Sequence, residues 1–141
     1  MAEGVLLPAA VREAIVAHAR DAGPVECCGL VAAHEGVPTR VVRCANVADT
    51  PAVRYRIDPR EQLAAFRAMD DAGEELFAIY HSHPATTPYP SSTDRGEAFY
   101  PEAVYILVSL RSGEPELRAY RISADPPGSA KAVREVPLRA G

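Results

Sequence analysis

Two histidines one residue apart, His81 and His83, follow directly on the apolar run LFAIY (76–80). Side chains two apart on a strand point to the same face, so these imidazoles project together while Ser82 points away. The rise of a strand separates their Cα atoms by about 7 Å, close enough for both side chains to reach one metal ion. Pro84 then stops the ladder and turns the chain. Seven residues separate His83 from Ser91, and Asp94 follows three after Ser91. Prolines 84, 88 and 90 stiffen this excursion, so that it can return Asp94 to the strand end. Two histidines and a carboxylate suit Zn²⁺. Three protein ligands also distinguish a catalytic site, which keeps a position for water, from a structural one closed by four. A metal there lowers the pKa of water from about 15.7 to about 7. H-x-H alone is common in loops, and Ser91-x-x-Asp94 is also a helix capping box. The conjunction of strand end, H-x-H, stiff loop and S-x-x-D points to a site, and the box itself would hold Asp94 in the first turn of a short helix.

The elements that must position these residues follow from periodicity and punctuation. Residues 8–24 read as a helix with Pro8 in its first turn, Val11, Ala14, Ile15 and His18 on one face, and Gly23-Pro24 as the stop. His18 therefore belongs on or beside the core face. ECCGLVAA (26–33) and TRVVRCANV (39–47) read as strands joined by a turn at Glu35-Gly36, with His34 solvated in that turn. RYRI (54–57) is a possible third strand. DPREQLAAFRAMDDAG (58–73) is the clearest helix, with Asp58 as cap, Pro59 at the first position, Glu61 at capping-box spacing, and Leu63, Phe66 and Met69 as its apolar stripe. LFAIY (76–80) and VYILVSL (104–110) are almost wholly apolar, as central strands covered on both faces are. ELRAYRIS (116–123) is more polar and closer to an edge, and PPGS (126–129) breaks the chain before a last strand around 133–138. With a short helix after Ser91, the sum is a mixed sheet between helices: a three-layer α/β (α+β) domain.

The chain of 141 residues is the size of one domain, taken here as 1–141. Apolar residues make up 48% and charged residues 24%, as in an ordinary soluble globule. No apolar stretch approaches the roughly 18 residues of a membrane span. The start MAEGVLLPAAVREA has neither a basic segment nor a secretory cleavage pattern, so a cytoplasmic location is expected. Net charge is −4 with both signs interspersed, which disfavours nucleic acid as a partner. Cys27, Cys28 and Cys44 form neither a disulfide framework nor a C-x-x-C zinc motif and read as free thiols in the core.

H-x-H, seven residues, then S-x-x-D resembles the signature of the JAMM (MPN+) metallopeptidases, met without a gap by His81, His83, Ser91 and Asp94. That family also has a glutamate just before a Cys-Gly at a strand start, and PVECCGLV supplies Glu26, Cys28 and Gly29. The likeness spans most of the chain, including YRIDPREQL and VYILVSL, and is nearest to the bacterial Mec-type branch, whose members trim the C-terminus of ubiquitin-like sulfur-carrier proteins. The resemblance implies a deaminase-like α/β sandwich with the sheet between helices. It implies one Zn²⁺ held by His81, His83 and Asp94, Glu26 as proton acceptor and donor, and Ser91 as hydrogen-bond donor to the oxyanion. It also implies a carrier protein with a C-terminal Gly-Gly region as substrate.

Relatives that select a particular ubiquitin linkage carry extra segments, for which only nine residues between Asp94 and VYILVSL leave no room. The site should therefore be an open groove suited to an extended tail, bound by strand addition at the sheet edge. The alternative is a non-catalytic MPN-type protein-binding module that keeps the fold and loses the metal, but no member of the ligand set is missing here. Zinc deaminases need H-x-E and P-C-x-x-C, and neither string occurs.

Overall fold

The computed structural model of the chain describes residues 4–124 and 128–140. In chain order the elements are β1 (Val5–Leu6), α1 (Ala9–Ala22), β2 (Cys28–His34), β3 (Val37–Cys44), α2 (Pro59–Ala72), β4 (Glu75–His83), α3 (Ser92–Gly96), β5 (Val104–Ser109), β6 (Glu116–Ser123), β7 (Ala132–Val136) and β8 (Leu138–Arg139). Six strands form one sheet in the order β3-β2-β4-β5-β6-β7, and β1 and β8 make a small parallel pair. Only β4 and β5 run parallel within the large sheet. β4 thus sits in the middle, and β6 lies one strand in from the edge strand β7.

The two faces of the sheet bury separate apolar clusters, which makes three layers. On one face Val11, Ile15, Val16 and Ala19 of α1 pack over Val31, Ala78, Tyr80 and Ile106. On the other, Ala65 and Met69 of α2 pack over Leu30, Ile79 and Leu107. The mixed α/β sandwich expected from the sequence is the observed fold. His18 stands beside the α1 face as expected, its Nδ1 sharing a 2.6 Å hydrogen bond with the Tyr80 hydroxyl. Glu35 (φ 50°) and Gly36 (φ 82°) make the tight β2–β3 turn, whose two positive φ angles match the twist of the flanking strands. Exposed His34 closes β2, and its Nδ1 lies 3.0 Å from the Gly73 carbonyl.

Four expectations need correction. Leu63 is 51% exposed, and the buried seam of α2 runs through Ala65 and Met69 with Phe66 partly covered. At about 100° per residue Leu63 points roughly 120° away from Met69, so the two cannot share a stripe. Glu61 does not close a capping box on Asp58; its carboxylate accepts from the Ala45 N–H, while the Asp58 N–H goes to the Ala45 carbonyl. Residues 54–57 form no strand, and only a single bridge, Asn46 with Ile57, touches them. The expected last strand is divided into β7 and β8 at Pro137, which lacks the N–H a ladder needs. The break expected at Pro126-Pro127 lies outside the described residues.

Gly29 is a point of close approach. It faces Tyr80 across the β2–β4 pair, and a Cβ there would sit 2.5 Å from Tyr80 Cζ. Gly29→Ala should therefore lower stability by about 1–3 kcal/mol, as overpacked cores do. Adding Tyr80→Leu should recover part of that loss, because it removes the clashing ring. Thermal melts of the two single variants and the double variant check this, and strict additivity would contradict it.

Candidate metal centre

The alternation along β4 sends Ala78, Tyr80 and Ser82 to the α1 face and Ile79, His81 and His83 to the α2 face. Ser82 is spent on structure, its Oγ accepting from the Cys27 N–H at 2.8 Å. His81 and His83 are 1% and 5% exposed, and their Nε2 atoms lie 3.2 Å apart. β4 extends through both histidines, beyond the 76–80 read from the sequence, and ends at Pro84.

The loop after Pro84 is tied down by three carbonyls in succession. The Ser109 hydroxyl of β5 donates to Thr86 O, His83 Nδ1–H donates to Thr87 O at 2.8 Å, and the Tyr120 hydroxyl of β6 donates to Pro88 O. Ser91 then caps α3. Its Oγ accepts from Asp94 N–H at 3.0 Å, and Asp94 Oδ2 accepts from Ser91 N–H at 2.9 Å, so the capping box is complete. That same Oδ2 stands 3.1 Å from His83 Nε2 and 3.2 Å from His81 Nε2.

Three electron-rich atoms thus form a nearly equilateral triangle with edges of 3.1–3.2 Å. Bonds of about 2.0–2.1 Å at tetrahedral angles would space zinc ligands about 3.3–3.4 Å apart, so the triangle matches three corners of such a polyhedron. The proton on His83 Nδ1 is used on Thr87 O, which leaves its Nε2 lone pair facing inward, the tautomer a metal requires. The donor chemistry and spacing fit a zinc ion.

Glu26 stands at the entrance to β2, 4% exposed. Its N–H donates to Pro51 O, and its carbonyl accepts from Asn46 Nδ2. Its Oε1 is buried and has no hydrogen-bond partner among the described residues. Glu26, His81 and His83 each offer a ligand atom within 4.8 Å of the others, a looser set than the triangle with Asp94. The two carboxylates therefore differ in standing: Asp94 closes on the imidazoles, and Glu26 holds back with a free oxygen.

Their titration differs accordingly. Burial raises the Glu26 pKa to about 7, with His83 opposing and Asp94 reinforcing the rise. Burial also disfavours the charged Asp94, but the hydrogen bonds to His81 and His83 outweigh it and hold the carboxyl well below the usual range. His81 is pushed down by burial, whereas at His83 the bond to Asp94 overcomes burial and raises the pKa. The cysteines are free and buried, as expected, and burial lifts Cys27 and Cys44 to about 11, which leaves no thiolate to act as nucleophile.

Sequence reasoning overlooked Tyr55. Its ring stacks on His81 with centroids 4.2 Å apart and planes 20° apart. It also lines a cavity of about 280 Å³ with Ile79, Gln62, Phe99, Tyr100 and Tyr105. The signal was present as an aromatic just before the α2 cap, but it was read as strand.

A raised carboxyl pKa favours the folded state when protonated, so Glu26 supports the metal-free fold below its unfolded pKa near 4.5 and opposes it as pH rises through about 7. With chelator present, Glu26→Gln should thus be more stable than the parent chain at pH 8, by on the order of 3 kcal/mol at most. The gap should close as pH falls toward 4.5. Chemical denaturation at several pH values measures it, and a gap independent of pH would refute the assignment.

The pattern of prokaryotic homologs of the JAB domain matches residues 8–123. The CysO-cysteine peptidase of Mycobacterium tuberculosis is 49% identical over 112 residues, 77% of this chain and 76% of that protein. The desampylase of Haloferax volcanii is 38% identical over 73% of this chain and 78% of its own length. A solution structure of a protein from Desulfitobacterium hafniense superposes with a TM-score of 0.82 at 33% identity, covering 96% of this chain and 92% of the other. Among the described residues, no helix is long and apolar enough to cross a membrane.

Proposed function

Because this chain belongs to the family of prokaryotic homologs of the JAB domain, and is by that membership a JAMM-type hydrolase, we propose that it is a zinc-dependent peptidase acting on the C-terminal tail of a ubiquitin-like sulfur-carrier protein. The observation that carries this reading is the buried triangle of His81 Nε2, His83 Nε2 and Asp94 Oδ2. These three residues would hold the ion. Zinc there supplies Lewis-acid chemistry, lowering the pKa of water to about 7 and polarising a carbonyl.

The remaining roles belong to the chain. Glu26 takes the proton of the attacking water and delivers it to the leaving amine, a double duty that suits a carboxyl with a pKa of about 7. Ser91 donates a hydrogen bond from its hydroxyl to the oxyanion. Its capping role does not compete, because the cap uses a lone pair of Oγ and leaves the O–H free. The name of the CysO-cysteine peptidase supports a protein substrate from which cysteine is released, and the proposal adds that the released part follows a Gly-Gly tail. Three unbonded cysteines, two of them opposite one another in the β2–β3 pair, support a reducing, cytoplasmic setting.

The test is incubation with a sulfur-carrier protein extended beyond Gly-Gly, read by mass spectrometry of its C-terminus. Cleavage should stop with chelator and return with zinc. His81→Ala and Asp94→Ala should lose bound zinc, and Glu26→Gln should keep zinc while losing at least about a hundredfold in rate. Full zinc content in both ligand variants would overturn the assignment.

Ser91 separates cap from catalyst. Loss of a cap alone costs about 0.5–2 kcal/mol of stability and leaves turnover intact. Loss of an oxyanion donor cuts the rate by roughly 10²–10³. Ser91→Ala should show the second effect and Ser92→Ala should not. Equal, small rate changes in the two would leave Ser91 a cap only.

A further inference from the structure

The two imidazoles of the site are oriented by different means. His83 is locked in the usual way, with Nδ1–H donating to the Thr87 carbonyl at 2.8 Å. His81 has no such lock, for among the described residues its buried Nδ1 has no hydrogen-bond partner. The terminal torsion of histidine is broad, so an imidazole without a hydrogen bond can tilt out of the plane that aims its Nε2. What His81 has instead is the ring of Tyr55, stacked on it at 4.2 Å and within 20° of parallel.

We infer that Tyr55 is a positioning residue: its ring holds the plane of His81 and so keeps Nε2 in line with His83 and Asp94. This rests on the zinc-site reading above.

A second feature points the same way. The Asn46 side chain holds the segment that carries Tyr55, beside a backbone bond from Val47 N–H to Arg56 O. The Asn46 Nδ2 donates to Arg54 O at 3.0 Å and Glu26 O at 2.9 Å, and its Oδ1 accepts from Ala48 N and Arg56 N, both at 3.0 Å. An asparagine amide has two donors and two acceptor lone pairs, and all four are used. Both neighbours of Tyr55 in the chain are thereby pinned, and so is Glu26. Arg54 also pairs with Glu97 at the end of α3. The aromatic is thus held at a fixed height over His81 by the anchor that fixes Glu26. The Tyr55 hydroxyl makes no hydrogen bond among the described residues, so the ring carries the function.

The experiment compares zinc affinity, by chelator competition, in the folded parent chain, Tyr55→Phe and Tyr55→Leu. Tyr55→Met serves as a second aliphatic replacement should the leucine variant not fold. Met69→Ala, in the same apolar cluster but outside the site, controls for lost stability. Tyr55→Phe should bind zinc within about twofold of the parent. The aliphatic variants should bind about tenfold more weakly, the lower end for residues supporting a metal ligand. With Co²⁺ in place of zinc, their visible bands should shift, whereas those of Tyr55→Phe and Met69→Ala should not. Parent-like affinity and an unchanged Co²⁺ spectrum in the aliphatic variants would overturn the inference, as would an equal loss in Met69→Ala. A parent chain that takes up no zinc would instead overturn the metallopeptidase reading, and the role of Tyr55 with it.

Discussion

Two imidazole nitrogens and a carboxylate oxygen are confined to a buried triangle with edges of 3.1–3.2 Å. Lone pairs do not gather at such a spacing away from water without a positive charge among them, because an unpaired buried anion or acceptor is costly. In the metal-free chain a shared proton meets part of this demand, which is why Asp94 stays ionised and His83 is drawn upward in pKa. A divalent cation meets it more fully. The surrounding structure can be understood as what keeps the three atoms from relaxing apart. β4 cannot shift, because it is paired on both sides at the centre of the sheet. Asp94 cannot swing away, because the Ser91 N–H holds the same oxygen.

The sheet keeps this polar cluster separate from a second one only a strand's thickness away. Tyr80, between Ile79 and His81, points to the opposite face and bonds His18 there. Gly29 has no side chain, and that gap lets the phenol lie flat against β2. A Tyr–His pair on one face and a His–His–Asp cluster on the other are thus produced by single-residue alternation in one strand. A one-residue slip of β4 would exchange the faces and abolish both, so the register of this strand is specified twice over.

Much of this was legible in the sequence because it is encoded in short-range patterns. H-x-H at the end of an apolar run fixes a shared face, and Ser91-x-x-Asp94 fixes a helix start; the structure joins the two. The proline-rich loop was read as a stiff return. Its three carbonyls find partners on β4, β5 and β6, which no local pattern encodes. The misreading of residues 54–57 has the same origin. RYRI alternates as a strand does, but Arg54 O and Arg56 N–H are taken by the Asn46 side chain, and a single bridge with Asn46, in which Val47 N–H donates to Arg56 O, replaces a ladder. Tyr55 was missed with it, since its importance lies in facing His81, 26 positions further along the chain. Leu63 failed for a simpler reason: three apolar residues at spacing three drift around a helix, and packing against the sheet selected the Ala65–Met69 line.

The site therefore has two halves with different supports. His81, His83 and Asp94 are carried by β4 and the capped turn of α3, joined by a loop whose carbonyls are anchored to the sheet. Glu26 hangs from the segment between β3 and α2, through Pro51 and Asn46. This division suits the chemistry we propose. Metal ligands need fixed spacing, and the sheet provides it. A group that takes and returns a proton needs an oxygen left unengaged and a pKa near neutrality. Burial raises the Glu26 pKa to about 7, and among the described residues its Oε1 has no hydrogen-bond partner, which meets both needs. Asn46 reconciles the halves, since its one amide holds the Glu26 backbone and the flanks of the tyrosine that covers His81. The Glu26 carboxylate and the His81 imidazole are thereby referenced to the same point.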